Sequence, residues 1–128
     1  MLIDKHTSIL TFNYFNNNHS SVRIAPHTDV SILTILRPNS NGLQIYHDND
    51  WMNIDYIPDT FVINIGDYLQ DLIHVKSTIH RVISLSSISN NRISIAYFVS
   101  PNYDSIINHI TYDEWRKERI KKAMKMKK

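Results

Sequence analysis

Apolar side chains along this chain alternate with polar ones or gather in short bursts, and turn residues separate the bursts. Ile9–Phe15 (ILTFNYF), Val22–Ala25, Val30–Leu36, Thr60–Ile65 (TFVINI), Lys76–Ile83 and Arg92–Val99 read as strands. Leu43–Tyr46 and Trp51–Ile54 read as a hairpin around His47–Asp50. The polar loop Asn16–Ser21, the Asn41-Gly42 turn, Pro58-Asp59 and Pro101-Asn102 punctuate them. Gly42 and Gly66 both stand at strand ends, where a positive φ or a close backbone approach is expected. Leu69–His74 fits either period. Thr111-x-x-Glu114 is a capping box that opens a helix from Tyr112 to about Lys122, with Asp113 and Glu114 at its positive end. About eight short strands and one terminal helix predict a mostly β fold. A jelly-roll or barrel-like sandwich, forming one domain over residues 1–128, is expected.

Composition narrows the function. The chain has 128 residues, 42% of them hydrophobic and 20% charged, which suits one globular core. Net charge is only +2, and the basic excess sits in Arg116–Lys128. So local an excess argues against nucleic-acid binding by the whole domain, and the tail reads as solvated rather than membrane-bound. Cysteine is absent, which excludes disulfides and thiolate metal sites and fits the cytoplasm. The opening MLIDKHTSIL has no apolar run long enough for a signal peptide or a membrane span.

Candidate chemistry starts at His27 and Asp29. Two residues apart on an extended chain, they point to the same face, just ahead of the apolar run Val30–Leu36. That is an odd way to build a core and an ordinary way to build a metal site. A lone His-x-Asp is more often a surface pair, so a third ligand decides. His80 lies 51 residues after Asp29 (80 − 29) on another predicted strand. Two histidines and one carboxylate can hold a ferrous ion on one face of an octahedron and leave three positions free. His6, His19, His47 and His109 fall in loops or termini and read as solvated, while His74 is a candidate for the site rim.

A second group is Arg92-Ile93-Ser94. Arg92, Ser94, Ala96 and Phe98 share one strand face; Ile93, Ile95, Tyr97 and Val99 share the other. A guanidinium beside a hydroxyl suits a carboxylate, although an edge arginine paired with a nearby acid is equally open. Asn64 and Asp67 read first as turn caps, with hydrogen bonding around the site as the lesser alternative.

The segments APHTDVSILTIL, GLQI followed by Trp51, PDTFVINIGDYLQ, KSTIHRV and RISIAYFVSP carry a family resemblance. From about Ile9 to Asp104 the chain resembles the C-terminal part of an iron(II)/2-oxoglutarate-dependent oxygenase of the isopenicillin-N-synthase-like superfamily. The resemblance implies a double-stranded β-helix with iron between its sheets. It implies His27, Asp29 and His80 as iron ligands, and Arg92 and Ser94 as the anchor for the distal carboxylate of 2-oxoglutarate. Tyr14, in FNYF, resembles the tyrosine that often assists. Iron(II), 2-oxoglutarate, dioxygen and a small organic substrate are the implied partners, although some relatives keep Arg-x-Ser without using 2-oxoglutarate.

Two departures stand out. QDLIHVKSTIH is about two residues shorter than the family's usual hairpin, and a one-residue slip there would turn His80 to the wrong face. The family's N-terminal helical region is also missing from these residues. The face of Ile93, Ile95, Tyr97 and Val99, with Phe61, Ile63 and Ile65 nearby, then lacks a cover. The helix, with Trp115, Ile120, Ala123 and Met124 on its apolar side, covers little. An exposed apolar patch is expected, covered by a partner chain or upstream fragment, or left bare in a catalytically silent remnant.

Overall fold

The computed structural model describes residues 7–16, 21–85 and 91–125. In chain order these residues form β1 (Ile9–Phe15), β2 (Val22–His27), β3 (Leu33–Pro38), β4 (Leu43–His47), β5 (Asp50–Ile54) and β6 (Val62–Ile65). After them come α1 (Asp67–Ile73), β7 (His80–Ile83), β8 (Arg92–Val99), β9 (Ile106–Ile107), β10 (Ile110–Thr111) and α2 (Tyr112–Lys125). His6, His19 and most of the expected loop Asn16–Ser21 lie outside the described residues.

Two four-stranded sheets, ordered β1-β8-β3-β6 and β2-β7-β4-β5, carry the architecture. Every pairing is antiparallel. The first four strands alternate between the sheets, as a mostly β jelly roll requires. Residues 28–32 therefore cross from one sheet to the other, and Asp29 rides on that crossing. Pro26 is tolerated near the end of β2 because β2 is an edge strand.

Four expectations change. The strand expected over Val30–Leu36 begins only at Leu33, because the preceding backbone caps α1 instead. Gly66, Asp67 and Tyr68 donate their N–H groups to the carbonyls of Ile32 (2.9 Å), Asp29 (2.8 Å) and Ser31 (3.1 Å). Leu69–His74 resolves into α1, closed by His74 in the left-handed region. The strand expected over Lys76–Ile83 shrinks to His80–Ile83. Ahead of it, Ser77 is held by the Gln70 side chain at 2.8 Å and the Ile65 carbonyl at 3.1 Å rather than by a neighbouring strand. The β9–β10 hairpin has strands too short to show a period.

The first sheet buries Arg92, Ser94 and Ala96 of β8 on its inner face. Its outer face carries Leu10, Phe12, Tyr14, Phe61, Ile63, Ile93 and Tyr97, all exposed. At one end of the sandwich Ile32, Tyr68, Ile107, Tyr112 and Trp115 form a compact cluster. There Tyr68 meets Tyr112 and Trp115 edge-on at 5.1 and 5.3 Å. The long helix α2 is spent on that end and leaves the outer sheet face open. No helix of the described residues is long and apolar enough to cross a membrane.

Candidate metal centre

A cavity opens between the two sheets. Thr34, Leu36, Val62, Arg92, Ser94 and Ala96 line it from one side, and Ile24, Leu43, Ile45 and Val82 from the other. His27, Asp29 and His80 converge on it. His27 ends β2 and His80 begins β7, and the two are directly paired across the strands. The register between the two strands shifts between Val22 and Ile24 and again between Ile24 and His27, and His80 still faces His27. Ring centroids lie 4.3 Å apart. His27 Nε2 stands 3.7 Å and His80 Nε2 3.6 Å from Asp29 Oδ1.

The hydrogen bonds set which atoms face the centre. His27 Nδ1 is 2.8 Å from the Ala25 carbonyl, and His80 Nδ1 is 3.0 Å from the Thr78 carbonyl. A carbonyl can only accept, so each Nδ1 carries the ring proton and each Nε2 presents its lone pair to the centre. Asn64 Nδ2, 3.2 Å from the same Nδ1, meets a protonated nitrogen there and donates to Asp29 instead. Asp29 divides its oxygens in the same sense. Its Oδ2 accepts from Thr34 Oγ1 at 2.7 Å and from Asn64 Nδ2 at 3.0 Å, which leaves Oδ1 for the two imidazoles.

This donor set fits a divalent cation. The three groups offer ligand atoms all within 4.8 Å of one another. Donors about 2.1 Å from one ion and at right angles to it stand about 3 Å apart, so closing the set needs small ring rotations only. Asp29 is buried, and among the described residues no lysine or arginine pairs with it, its neighbours across the centre being the two imidazoles. A buried carboxylate so placed calls for a positive ion.

The other end of the cavity is cationic. Arg92 is 2% exposed, its Nη1 lies 3.4 Å from Ser94 Oγ, and its Nε and Nη2 have no hydrogen-bond partner among the described residues. Burial, with Arg23 nearby adding to it, pushes the guanidinium down to about 10. Unsatisfied buried N–H groups facing a cavity are a place for an anion. No acid pairs with Arg92 among the described residues, so the alternative of an ordinary edge ion pair falls away.

Tyr14 is a correction. It pairs with Ile93 on the outer face, is 63% exposed and points away from the cavity. Its neighbours take the inward places. Asn13 lines the cavity opposite Ser94, and Phe15, paired with Arg92, sets its ring 5.3 Å from that guanidinium. The signal was present in ILTFNYF, where Thr11 and Asn13 share a parity opposed to Leu10, Phe12 and Tyr14. His74 lies exposed at the end of α1 and does not line the cavity. Thr34 escaped the sequence reading because a threonine inside an apolar run has no signature of its own. Asn64 and Asp67 are hydrogen-bond partners around the site rather than simple turn caps.

A jelly roll with two imidazoles and a carboxylate at one end of an apolar cavity, and an arginine with two unsatisfied nitrogens at the other, could hold one metal ion and an anion. The chain belongs to the 2OG-Fe(II) oxygenase superfamily, which matches residues 6–101. It is 31% identical over 112 residues to Protein DMR6-LIKE OXYGENASE 1 of Arabidopsis thaliana, covering 83% of this chain and 32% of that protein. A candidate oxygenase from Shewanella oneidensis superposes with a TM-score of 0.85 at 27% identity, covering 96% of this chain and 50% of that one. The dioxygenase for auxin oxidation 1 of Arabidopsis thaliana, solved with 2-oxoglutarate, gives 0.70 at 27% identity, covering 78% and 40%. This chain thus spans about a third of the length of the curated relatives it matches.

Proposed function

We propose that this chain, as one domain over residues 1–128, is the catalytic part of an iron(II)- and 2-oxoglutarate-dependent dioxygenase acting on a C–H bond of a small organic substrate. What carries the reading is the pairing, in one cavity, of three convergent ligand atoms with a buried arginine whose Nε and Nη2 have no hydrogen-bond partner among the described residues. His27 Nε2, Asp29 Oδ1 and His80 Nε2 would hold iron(II), and Arg92 with Ser94 would receive the distal carboxylate of 2-oxoglutarate. Bound there, iron(II) and 2-oxoglutarate with dioxygen supply an oxidant for the C–H bond, with succinate and carbon dioxide as coproducts.

The chain's own part is placement. The Ala25 and Thr78 carbonyls fix both imidazole tautomers. Thr34 and Asn64 hold Asp29 so that one oxygen faces the metal. Leu36, Leu43, Ile45, Val62, Val82 and Ala96 wall the cavity with apolar surface and keep bulk water from the reacting centre. Phe15 lies against Arg92 and limits where a carboxylate can approach it.

A second reading, a metal-binding chain without turnover, is favoured by the bare outer face of the first sheet. In the active reading a partner chain or an upstream fragment covers that face. A cytoplasmic setting suits a chain without cysteine. Anaerobic titration with iron(II) and 2-oxoglutarate tests the proposal. A weak visible charge-transfer band that needs both components, and is lost in Arg92→Ala, is expected. Iron binding without the band leaves the silent reading; no iron binding at all overturns both.

A further inference from the structure

We propose that Arg119, delivered by the C-terminal helix, is a positioning residue for the metal centre, acting through Asp67 on Thr28, the residue between two of the ligands. The inference rests on the metal-centre reading above. Asp67 is 2% exposed, at the first position of α1. Its Oδ2 accepts from Arg119 Nε at 2.7 Å and from Thr28 Oγ1 at 3.0 Å. Arg119 Nη2 also donates to Thr28 Oγ1 at 3.3 Å, which closes a triangle of three side chains. Asp67 grips the same segment through its backbone, donating its N–H to the Asp29 carbonyl at 2.8 Å. The His27–Asp29 segment is thus held at two points by one residue, and that residue is a buried carboxylate.

Such a carboxylate needs its cation. Arg119 is the one residue in a salt bridge with Asp67 among the described residues, and the second Asp67 oxygen, Oδ1, has no partner at all. Without the guanidinium, Asp67 has reason to turn towards water and give up the Thr28 hydroxyl. Thr28 would then lose its hold, and so would the stretch of backbone that carries His27 and Asp29 on either side. Nothing of this is visible along the chain, since Arg119 lies 91 residues from Thr28.

The helix carries its own control. Trp115, one turn earlier on α2, donates Nε1–H to Asp71 at 2.9 Å, one turn later on α1. The two bridges are parallel, but only that of Arg119 continues to the metal ligands. A role in seating α2 belongs to both; a role in placing the metal belongs to Arg119 alone.

Cobalt(II) titrated into the protein and followed by its visible absorption gives the test, beside melting temperatures. In Arg119→Gln cobalt affinity is expected to fall about tenfold or more, the usual scale for losing a partner that orients a ligand. Arg119→Lys should recover most of that loss. Trp115→Phe should lower the melting temperature and leave cobalt affinity within about threefold of the unmodified chain. If Arg119→Gln fails to fold, Thr28→Val removes only the hydroxyl and is expected to weaken cobalt binding to a similar degree. Unchanged affinity in Arg119→Gln or in Thr28→Val, or an equal loss in Trp115→Phe, would overturn the inference and leave the centre standing. Cobalt failing to bind the unmodified chain would instead overturn the metal centre itself.

Discussion

Arg92 shows how a single residue trades stability for binding. A guanidinium lowered from its ordinary value to about 10 is held in its charged form at a cost of about 3 kcal/mol relative to water. Because the folded value is the lower one, the unfolded chain binds more protons between the two. The cost is therefore full below about pH 10 and eases as the pH rises from there towards the ordinary guanidinium value. Arg92→Met should accordingly melt several degrees higher than the unmodified chain when both are ligand-free. The same variant should lose any stabilisation by added 2-oxoglutarate, and thermal melts with and without it check both halves. Gly66 matters for the opposite reason, want of space. A Cβ there would stand 2.1 Å from the Ser31 carbonyl oxygen, in the loop that carries Asp29. Gly66→Ala should cost about 3 kcal/mol, read as a lowered urea midpoint at unchanged slope, and should weaken metal binding as the loop is pushed aside.

Among the elements, α2 is the one whose start is written locally. Thr111 donates its N–H to Glu114 Oε2 at 2.9 Å, and the Glu114 N–H returns a bond to Thr111 Oγ1 at 3.3 Å. Thr111→Ala should destabilise the helix by about 1 kcal/mol. The bonds from the Thr111 backbone and hydroxyl hold the Glu114 carboxyl below its ordinary value. Its contribution is then complete above the usual glutamate range and is lost as the pH falls through the lowered one. A circular-dichroism titration into acid should show α2 weakening there, and Glu114→Gln should flatten that dependence. Strand β1 teaches the reverse lesson. Its limits, Ile9–Phe15, were readable from composition, but which parity faces inward is set by its pairing with β8. Tyr14 stands one residue from the inward parity of Asn13 and Phe15, and in a strand one residue is the whole difference between the two faces.

At the scale of the molecule, the outer face of the first sheet is the more apolar of its two faces and is left uncovered among the described residues. Phe12 is 68% exposed and Ile63 57%, beside Leu10, Phe61 and Tyr97. Contiguous apolar surface of this kind favours association. The chain by itself should bind a hydrophobic dye and self-associate on size-exclusion chromatography with light scattering. Phe12→Lys combined with Ile63→Lys should suppress both while leaving cobalt binding intact, since neither side chain reaches the cavity. What the sequence alone determined was local or ordered along the chain: strand and turn positions, the capped helix, and the spaced His27, Asp29, His80, Arg92 and Ser94. Strand periodicity and motif order carry that much because neighbouring residues decide it. Which side chains meet was decided by the tertiary structure. The partners of Asp29, the outward turn of Tyr14, and the reach of Arg119 to Thr28 all depend on how separate strands and helices register. No short stretch of chain encodes that register by itself.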